Sequence, residues 1–402
     1  KALGFKMGDP YFKVKGKIQE HGLKVFSSNY ALYGDMSRRV TEVLRQYARD
    51  VEVYSIDESF LDLAGWYGVG DAVGKLVGAP VGKVGTLVGS EVGARVGLDE
   101  YGLAIRQAVL TATGIPTSVG LAPTKALAKM ANRLAKRYDA PVYTIQSKAE
   151  IKEALGLVKV SEIWGIGGQY VKLLERNGVA TALDFVQLPD DFVQKHLTVQ
   201  GVRLAHELRG LPCAELEVQP PPKKAICTAR SFGQFTTNYG LVKEALSNYV
   251  ANAAAKMRKQ HSVAGAINVF VETNLHSKQD QQYFNSKTVK LPASTDDTAE
   301  LIGIAHRVLD QLWKEGIRYA KCGVILKDFT PKSQFQEALF DERNRPKHNK
   351  VMEAMDQLNS SYGRNTLKTA AQGFDSKKWD MQRNMLSPRY SSNLNELLTI
   401  KV

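Results

Sequence analysis

Two adjacent acids, Asp57 and Glu58, sit inside Val51-Glu52-Val53-Tyr54-Ser55-Ile56-Asp57-Glu58-Ser59-Phe60-Leu61-Asp62-Leu63, with a short strand-like run on either side. In a straight strand their side chains would point to opposite faces. At or beside a hairpin tip they can converge, and close carboxylates repel unless a cation lies between them. Mg²⁺ suits such a pair, because it takes one or two carboxylates and leaves its other positions to water and phosphate oxygens. In a two-metal site, ions of this kind activate an attacking oxygen and stabilise a leaving one. A solvated Asp–Glu turn is the competing reading, and spacing alone does not separate the two.

A second group of charges stands downstream. Lys125, Lys129, Arg133 and Lys136 recur at helical spacing, with Leu127, Met130, Ala131 and Leu134 on the opposite side. A helix starting near Thr124 puts Lys125 at its positive end, a natural seat for a triphosphate; a solvated helix face is the plain alternative. Further on, Trp164-Gly165-Ile166-Gly167-Gly168 precedes a predicted helix over Gln169–Asn177. Its glycines let backbone N–H groups approach a phosphate, a contact that positions without reading sequence. In isolation a Gly-x-Gly is an ordinary turn.

The elements that must carry these residues belong to a chain of 402 residues, enough for two to four domains. With 44% hydrophobic and 24% charged residues, a disordered or collagen-like chain is excluded. A net charge of +13 points to a polyanionic partner. Cys213, Cys227 and Cys322 are few, odd in number and far apart, which excludes a disulfide framework and makes the reducing cytoplasm the expected compartment. A clean apolar run of about 18 residues is missing, so no membrane span is expected.

Residues 1–65 and 98–150 alternate helix-like and strand-like stretches, and Ser37–Tyr47 has helical spacing before the strand-like run. Between them Gly70, Gly74, Gly78 and Gly82, then Gly85, Gly89, Gly93 and Gly97, recur every four residues. Such a small-residue stripe allows close helix packing. Because Asp71, Lys75, Lys83, Glu91 and Arg95 interrupt it and Pro80 breaks it, a surface insert is favoured over a membrane element. Short helices broken by glycines fill 158–215, and Pro220-Pro221-Pro222 forms a stiff linker. Beyond it, Ile226–Phe232, Leu241–Gln260, Ala264–Glu272, Tyr283–Leu291, Thr298–Glu315 and Ala320–Phe329 read strand, helix, strand, strand, helix, strand, the split βαβ order of a ferredoxin-like unit. The last 70 residues read as a polar tail with a small helical module.

Tyr54-Ser55-Ile56-Asp57-Glu58-Ser59-Phe60-Leu61-Asp62-Leu63 resembles the palm motif of Y-family translesion DNA polymerases. Lys1-Ala2-Leu3-Gly4-Phe5-Lys6-Met7-Gly8 with Ser27-Ser28-Asn29-Tyr30, Val119-Gly120-Leu121-Ala122-Pro123-Thr124-Lys125-Ala126-Leu127-Ala128-Lys129, and Ile163-Trp164-Gly165-Ile166-Gly167 match in the family's order. The likeness reaches Met385-Leu386-Ser387-Pro388-Arg389-Tyr390 and skips only the Gly-rich stretch. It implies an α+β multidomain, right-hand-like polymerase. The expected parts are a fingers/palm portion at 1–48, a palm catalytic hairpin at 49–65, the insert at 66–97 and palm at 98–157. A helix-hairpin-helix thumb follows at 158–219, a ferredoxin-like little finger at 223–331 and a tail with a small module at 332–402.

The resemblance further implies error-prone, template-directed addition of dNTPs to a primer 3′ end, in DNA repair and the SOS response. Asp57 and Glu58 are then catalytic metal ligands for Mg²⁺, and Lys125 and Lys1 meet the substrate triphosphate. Gly165, Gly167, Lys223, Lys224, Arg230, Lys287, Lys290, Arg318 and Lys321 are expected to hold DNA without sequence preference, with a steep salt dependence. Gln336-Glu337-Ala338-Leu339-Phe340 has the Gln-x-x-Leu-Phe pattern of peptides that dock in a sliding clamp; Gln336, Leu339 and Phe340 are its anchors, and packing onto the chain's own module is the alternative. Primer–template DNA, dNTP, the clamp, a UmuD′-like dimer and a RecA filament are the implied partners. Lys1 reads as the middle of a domain, so the family's first strand, with a further metal-binding Asp and an aromatic ribonucleotide-excluding residue, is expected upstream. A non-catalytic remnant that binds DNA and the clamp is the alternative function.

Overall fold

The computed structural model describes residues 3–63, 91–334, 344–374, 379–381, 383–391 and 393–397. Lys1, most of the Gly-rich insert (64–90) and the Gln336–Phe340 motif lie outside them. The chain divides into two compact units: Lys1–Pro220 with Leu386–Val402, and Pro221–Met385.

The first unit opens with α1 (Tyr11–Glu20) and α2 (Tyr30–Leu44). Asn29 caps α2, accepting from the Leu32 amide, which satisfies one of the donors every helix start leaves open. The antiparallel pair β1 (Val51–Val53) and β2 (Ser59–Leu61) follows in the register Val51↔Leu61, Glu52↔Phe60, Val53↔Ser59. Helix α3 (Glu91–Thr113) starts inside the stretch expected to be insert. Its Tyr101, Ile105 and Val109 pack with Leu44, Tyr47, Ala48 and Val51 into one core, where the Tyr101 hydroxyl donates to the Tyr47 carbonyl.

Next come β3 (Val119–Leu121), α4 (Lys125–Arg137) and β4 (Val142–Thr144), a right-sized crossover joining two parallel strands. Gly120 lets α4 lie directly on β3: a Cβ there would fall 2.3 Å from the Asn132 amide nitrogen and 2.4 Å from the Ala128 carbonyl oxygen. Helix α5 (Lys148–Leu157) starts with a reciprocal Ser147/Glu150 capping box. Helices α6 (Gly168–Arg176), α7 (Ala182–Val186) and α8 (Asp190–Leu208) complete the small-helix region. Ala126, Leu127, Met130, Ala131 and Leu134 of α4 enter the same core as Leu174, Phe185, Val193 and Leu208.

The second unit is β5 (Ala225–Thr236), α9 (Tyr239–Lys259), β6 (Ser262–Glu272), β7 (Phe284–Thr295), α10 (Thr298–Leu312) and β8 (Tyr319–Pro331). The sheet order is β5-β8-β6-β7, with every neighbour antiparallel. Each helix therefore links two parallel strands with one antiparallel strand between them, as the predicted element order requires. Val242, Ala245, Leu246, Tyr249, Val250, Ala253 and Met257, at three- and four-residue steps, seal α9 onto the sheet.

The expected tail is tied down on the helical layer of this unit. Helix α11 (Arg345–Tyr362) buries Met352 and Met355. Arg258 pairs with Asp356 at 2.6 Å and Arg345 with Glu300 at 2.9 Å. Trp379 is buried in the core beside Tyr249 and donates to Glu244 at 2.7 Å. No helix among the described residues is long and apolar enough to cross a membrane.

Candidate active site

The acidic pair lies on a tight bend. The Ser55 amide donates to the Glu58 carbonyl at 3.0 Å, joining the two sides of the bend between β1 and β2. Asp57 is exposed at its tip and accepts from the Ser55 hydroxyl at 2.6 Å. Glu58 is half-buried, and its carboxylate is 2.6 Å from Lys129 Nζ. The bend thus faces α4, the basic helix predicted around Lys125.

Below the bend a second ion pair fixes the hairpin to the same helix. Glu52 and Phe60 are cross-strand partners, so their side chains share a face, and Lys125 meets both. Its ammonium is 2.6 Å from Glu52 and 4.9 Å from the Phe60 ring centroid, and it also donates to the Glu215 carbonyl at 3.1 Å. Glu52 in turn accepts from the Glu217 amide at 2.8 Å. Lys125 and Lys129, one helical turn apart, thereby grip two carboxylates of one hairpin. Tyr54, Phe60 and Trp164 form an aromatic triangle beside them, with centroids 5.5–5.9 Å apart, and Trp164 Nε1 donates to the Tyr54 hydroxyl at 3.1 Å.

The start of α4 has its own acid. Thr124 caps it, and Glu207 accepts from the Ala126 amide at 3.0 Å and from the Cys213 and Ala214 amides at 2.6 and 3.0 Å. The positive end of the helix is therefore neutralised from within the fold. Cations free to meet phosphate lie farther along: Lys136 is exposed and lines the same cavity as Asp57, Glu58, Lys125 and Lys129, a cleft of about 1770 Å³. Glu52, Glu207 and the role of Lys129 were not legible in the sequence. Alternation with the apolar Val51 and Val53 predicts a solvent-facing Glu52, whereas the structure buries it at 6% exposure.

In the small-helix region Gly165 has φ +90°, a conformation that glycine alone adopts freely. Gly167 is the extended N-cap of α6, and a Cβ on it would meet open space. Arg133 and Arg137 both bond Glu162, at 2.7 and 2.8 Å. Burial alone would raise the Glu162 carboxyl, but these guanidiniums and the Lys159 amide hold it below its ordinary value.

In the second unit the predicted DNA-binding cations divide between the two faces of the sheet. Arg230 pairs across from buried Cys322 and Lys287 from buried Val269, so both point to the helix side; Lys287 donates to Gln311 of α10 at 2.5 Å. Lys290 and Lys321 lie on the open face, where Lys321 bonds Glu272 at 3.1 Å. Arg318 bonds Asp280 at 3.2 Å. Lys223 and Lys224 are exposed just before β5. Burial, then the charges of Lys223, Arg364 and Arg230, pushes the Lys256 ammonium down, which marks a basic cluster whose Lys256 and Arg364 the sequence did not single out.

Residues 1–133 match the impB/mucB/samB family, 223–339 the impB/mucB/samB family C-terminal domain, and 349–400 a domain of unknown function (DUF4113). Protein UmuC of Salmonella typhimurium strain LT2 is 38% identical over 406 residues, covering 100% of this chain and 90% of UmuC. Protein ImpB of Salmonella typhimurium is 35% identical, covering 99% of this chain and 88% of ImpB. DNA polymerase IV of Moorella thermoacetica is 26% identical, covering 91% and 82%. Among solved structures, a Y-family DNA polymerase chimera, Dbh-Dpo4(243-245)-Dbh, matches with TM-score 0.57 at 21% identity, covering 81% of this chain and 84% of the chimera, and shares the fold. A hairpin of paired acids set against a basic helix, a second unit with the predicted strand–helix–strand–strand–helix–strand order, and these matches agree: the chain belongs to the impB/mucB/samB family of Y-family DNA polymerases, the UmuC type.

Proposed function

We propose that the chain carries out template-directed DNA synthesis of the translesion kind, joining a dNTP to a primer 3′ end in the cleft between the acidic hairpin and α4. The observation that carries this reading is the pair of contacts Lys129–Glu58 and Lys125–Glu52, which holds Asp57 and Glu58 at the mouth of one cavity with basic side chains opposite.

The donor set fits a hard divalent cation. A carboxylate has about four lone-pair sites, and the Ser55 hydroxyl uses one of those on Asp57. Glu58 is paired with the Lys129 ammonium at 2.6 Å, so a bound cation would share that carboxylate with Lys129. Asp57 and Glu58 would hold Mg²⁺; among the described residues they are not joined by a third acid, His or Cys into a larger cluster. When bound, Mg²⁺ supplies Lewis-acid stabilisation of charge on the reacting oxygens.

The remaining work falls to the chain's own residues. In the reaction the primer 3′-hydroxyl attacks the α-phosphate and pyrophosphate leaves. Lys129 and Lys136 stabilise the phosphate charge, and Lys125, tied to Glu52, holds the hairpin at a fixed height on α4 while adding its own field. Asp57 and Glu58 orient the reacting groups, and the aromatic triangle braces the side of the bend. Gly165 and Gly167 grip a DNA phosphate through backbone amides, and Lys223, Lys224, Arg230, Lys287, Lys290, Arg318 and Lys321 hold the duplex backbone. Lys1 meets the triphosphate, and Gln336, Leu339 and Phe340 dock in the sliding clamp. A UmuD′-like dimer and a RecA filament are the further partners.

Primer extension with Mg²⁺ on a primer–template tests the reading: extension by this chain, lost in Asp57→Asn, supports it. A second reading rests on the same Lys129–Glu58 contact, which occupies Glu58: a DNA- and clamp-binding protein without catalysis. Salt-sensitive DNA binding without extension, in this chain and in one carrying additional upstream residues, would establish it.

A further inference from the structure

The Met385–Tyr390 motif has no role in the reading above, yet the structure returns this end of the chain to the catalytic unit. Leu386 forms a parallel bridge with Ser27. Asn29 Nδ2 donates to the Ser387 carbonyl at 3.0 Å and to its hydroxyl at 3.2 Å, across 358 residues of sequence. Asn29 is 3% exposed, and its two ends do different work: the oxygen caps α2 through Leu32, while the amino group holds the returning segment. A buried amide left without those acceptors is costly, so the anchor belongs to the fold.

The segment beyond the anchor is also knitted. The Arg389 amide and Asn393 Nδ2 both donate to Glu396, each at 2.6 Å. Ser391 lies close to Asp35, the carboxylate that Arg38 and Arg39 of α2 bond. Held in this way, Tyr390 and Ser391 line the cleft that Asp57, Glu58 and Lys136 also line. Tyr390 is 42% exposed: a large ring with a polar tip on the wall of that cleft.

We infer that Leu386–Ser391, within the DUF4113 region, is a built wall of the nucleotide cleft, and that Tyr390 contacts the nucleoside part of the incoming dNTP and helps set its affinity. This rests on the polymerase reading for the identity of the ligand. Aromatic rings accept the face of a base or the apolar edge of a deoxyribose whatever the base, because every base has a π-face. The triphosphate is attracted by cations on α4, so an uncharged aromatic elsewhere on the cleft wall acts on binding and not on the chemical step.

The test uses the full chain with primer–template, Mg²⁺ and a fluorescent dNTP analogue. Binding is read at equilibrium on a 3′-dideoxy primer, and extension is read as kcat and KM. Tyr390→Ala is expected to raise the dNTP Kd and KM roughly 3–10-fold with kcat nearly unchanged, and Tyr390→Phe to stay near wild type, the size of one aromatic contact. Asn29→Asp keeps the α2 cap oxygen and removes the donor to Ser387. It is expected to speed trypsin cleavage after Arg389 and to raise the dNTP Kd as Tyr390→Ala does. Unchanged Kd and KM in Tyr390→Ala overturn the inference. A wild-type chain that binds the dNTP but extends no primer refutes the polymerase reading and leaves the Kd comparison to decide this one; a chain that binds no dNTP refutes both.

Discussion

Lys125 Nζ lies 2.6 Å from the Glu52 carboxylate, with the two side chains only 11% and 8% exposed. The pair joins the first turn of α4 to β1 directly beneath the acidic bend, so it is a structural tie first. Glu52→Gln keeps the shape and the acceptor for the Glu217 amide but leaves the ammonium without its counter-charge. Removing one partner of a buried pair costs about 3–5 kcal/mol. Urea unfolding should show a loss near the lower end of that range, since Lys125 retains the Glu215 carbonyl. A loss under about 1 kcal/mol, the worth of an exposed pair, would mean that the contact is not formed in solution.

Asp57 is exposed and bonded locally to Ser55, which separates its structural from its chemical contribution. Asp57→Asn is isosteric and keeps an acceptor for the Ser55 hydroxyl, so the fold should be unaffected. Metal stabilisation of transition-state charge is worth several kcal/mol, and primer extension should fall by about 10³-fold. DNA affinity and its salt slope should be unchanged, because the substitution removes no phosphate contact. A parallel loss of DNA affinity would place Asp57 in the fold or the DNA grip and not in the metal site.

What the sequence disclosed and what it hid follow one rule. Asp57-Glu58 was legible as a bend because short alternating runs flank it, and α4 because its cations and its apolar residues separate cleanly around a 3.6-residue period. The second unit was legible as βαββαβ for the same reason. Partners across long separations left no local trace. Nothing near Lys125 announces Glu52, and nothing near Thr124 announces Glu207, so the helix start looked open for a phosphate when a carboxylate from α8 already fills it. The tail looked loose because its apolar residues are sparse, yet Met352, Met355 and Trp379 each find a place in a core.

His306 offers a pH test confined to the second unit. It lies 2.8 Å from the Ser247 hydroxyl, and burial, then the nearby Lys243 charge, pushes its imidazolium below the ordinary value. A depressed folded pKa means that the unfolded chain binds the proton more readily, so stability rises with pH across the window. The His306 contribution is fully present above about pH 6.5, the unfolded value, and is lost as pH falls through the folded one. Thermal midpoints should drop between pH 7.5 and 5.5, and the drop should be shallower in His306→Gln. Equal slopes in the two proteins would show that His306 titrates as it does in the unfolded chain.

Gly120 sets the distance between β3 and α4, and with it the height of Lys129 and Lys136 above the acidic bend. An added Cβ would sit 2.3 Å from the Asn132 amide nitrogen and 2.4 Å from the Ala128 carbonyl oxygen, both backbone atoms that cannot swing aside as a side chain can. Helix α4 must then retreat, and overpacking of this kind costs about 1–3 kcal/mol or more. Gly156, near the end of α5, is the matched control: a Cβ there meets nothing within 4 Å, and an alanine should be neutral or stabilising by up to roughly 1 kcal/mol. Gly120→Ala is therefore expected to lower the urea midpoint and to cut primer extension beyond the loss explained by unfolding, because the retreat also draws Lys129 away from Glu58. If extension falls only in proportion to the unfolded fraction, the spacing of α4 and the hairpin matters for the fold and not for the chemistry.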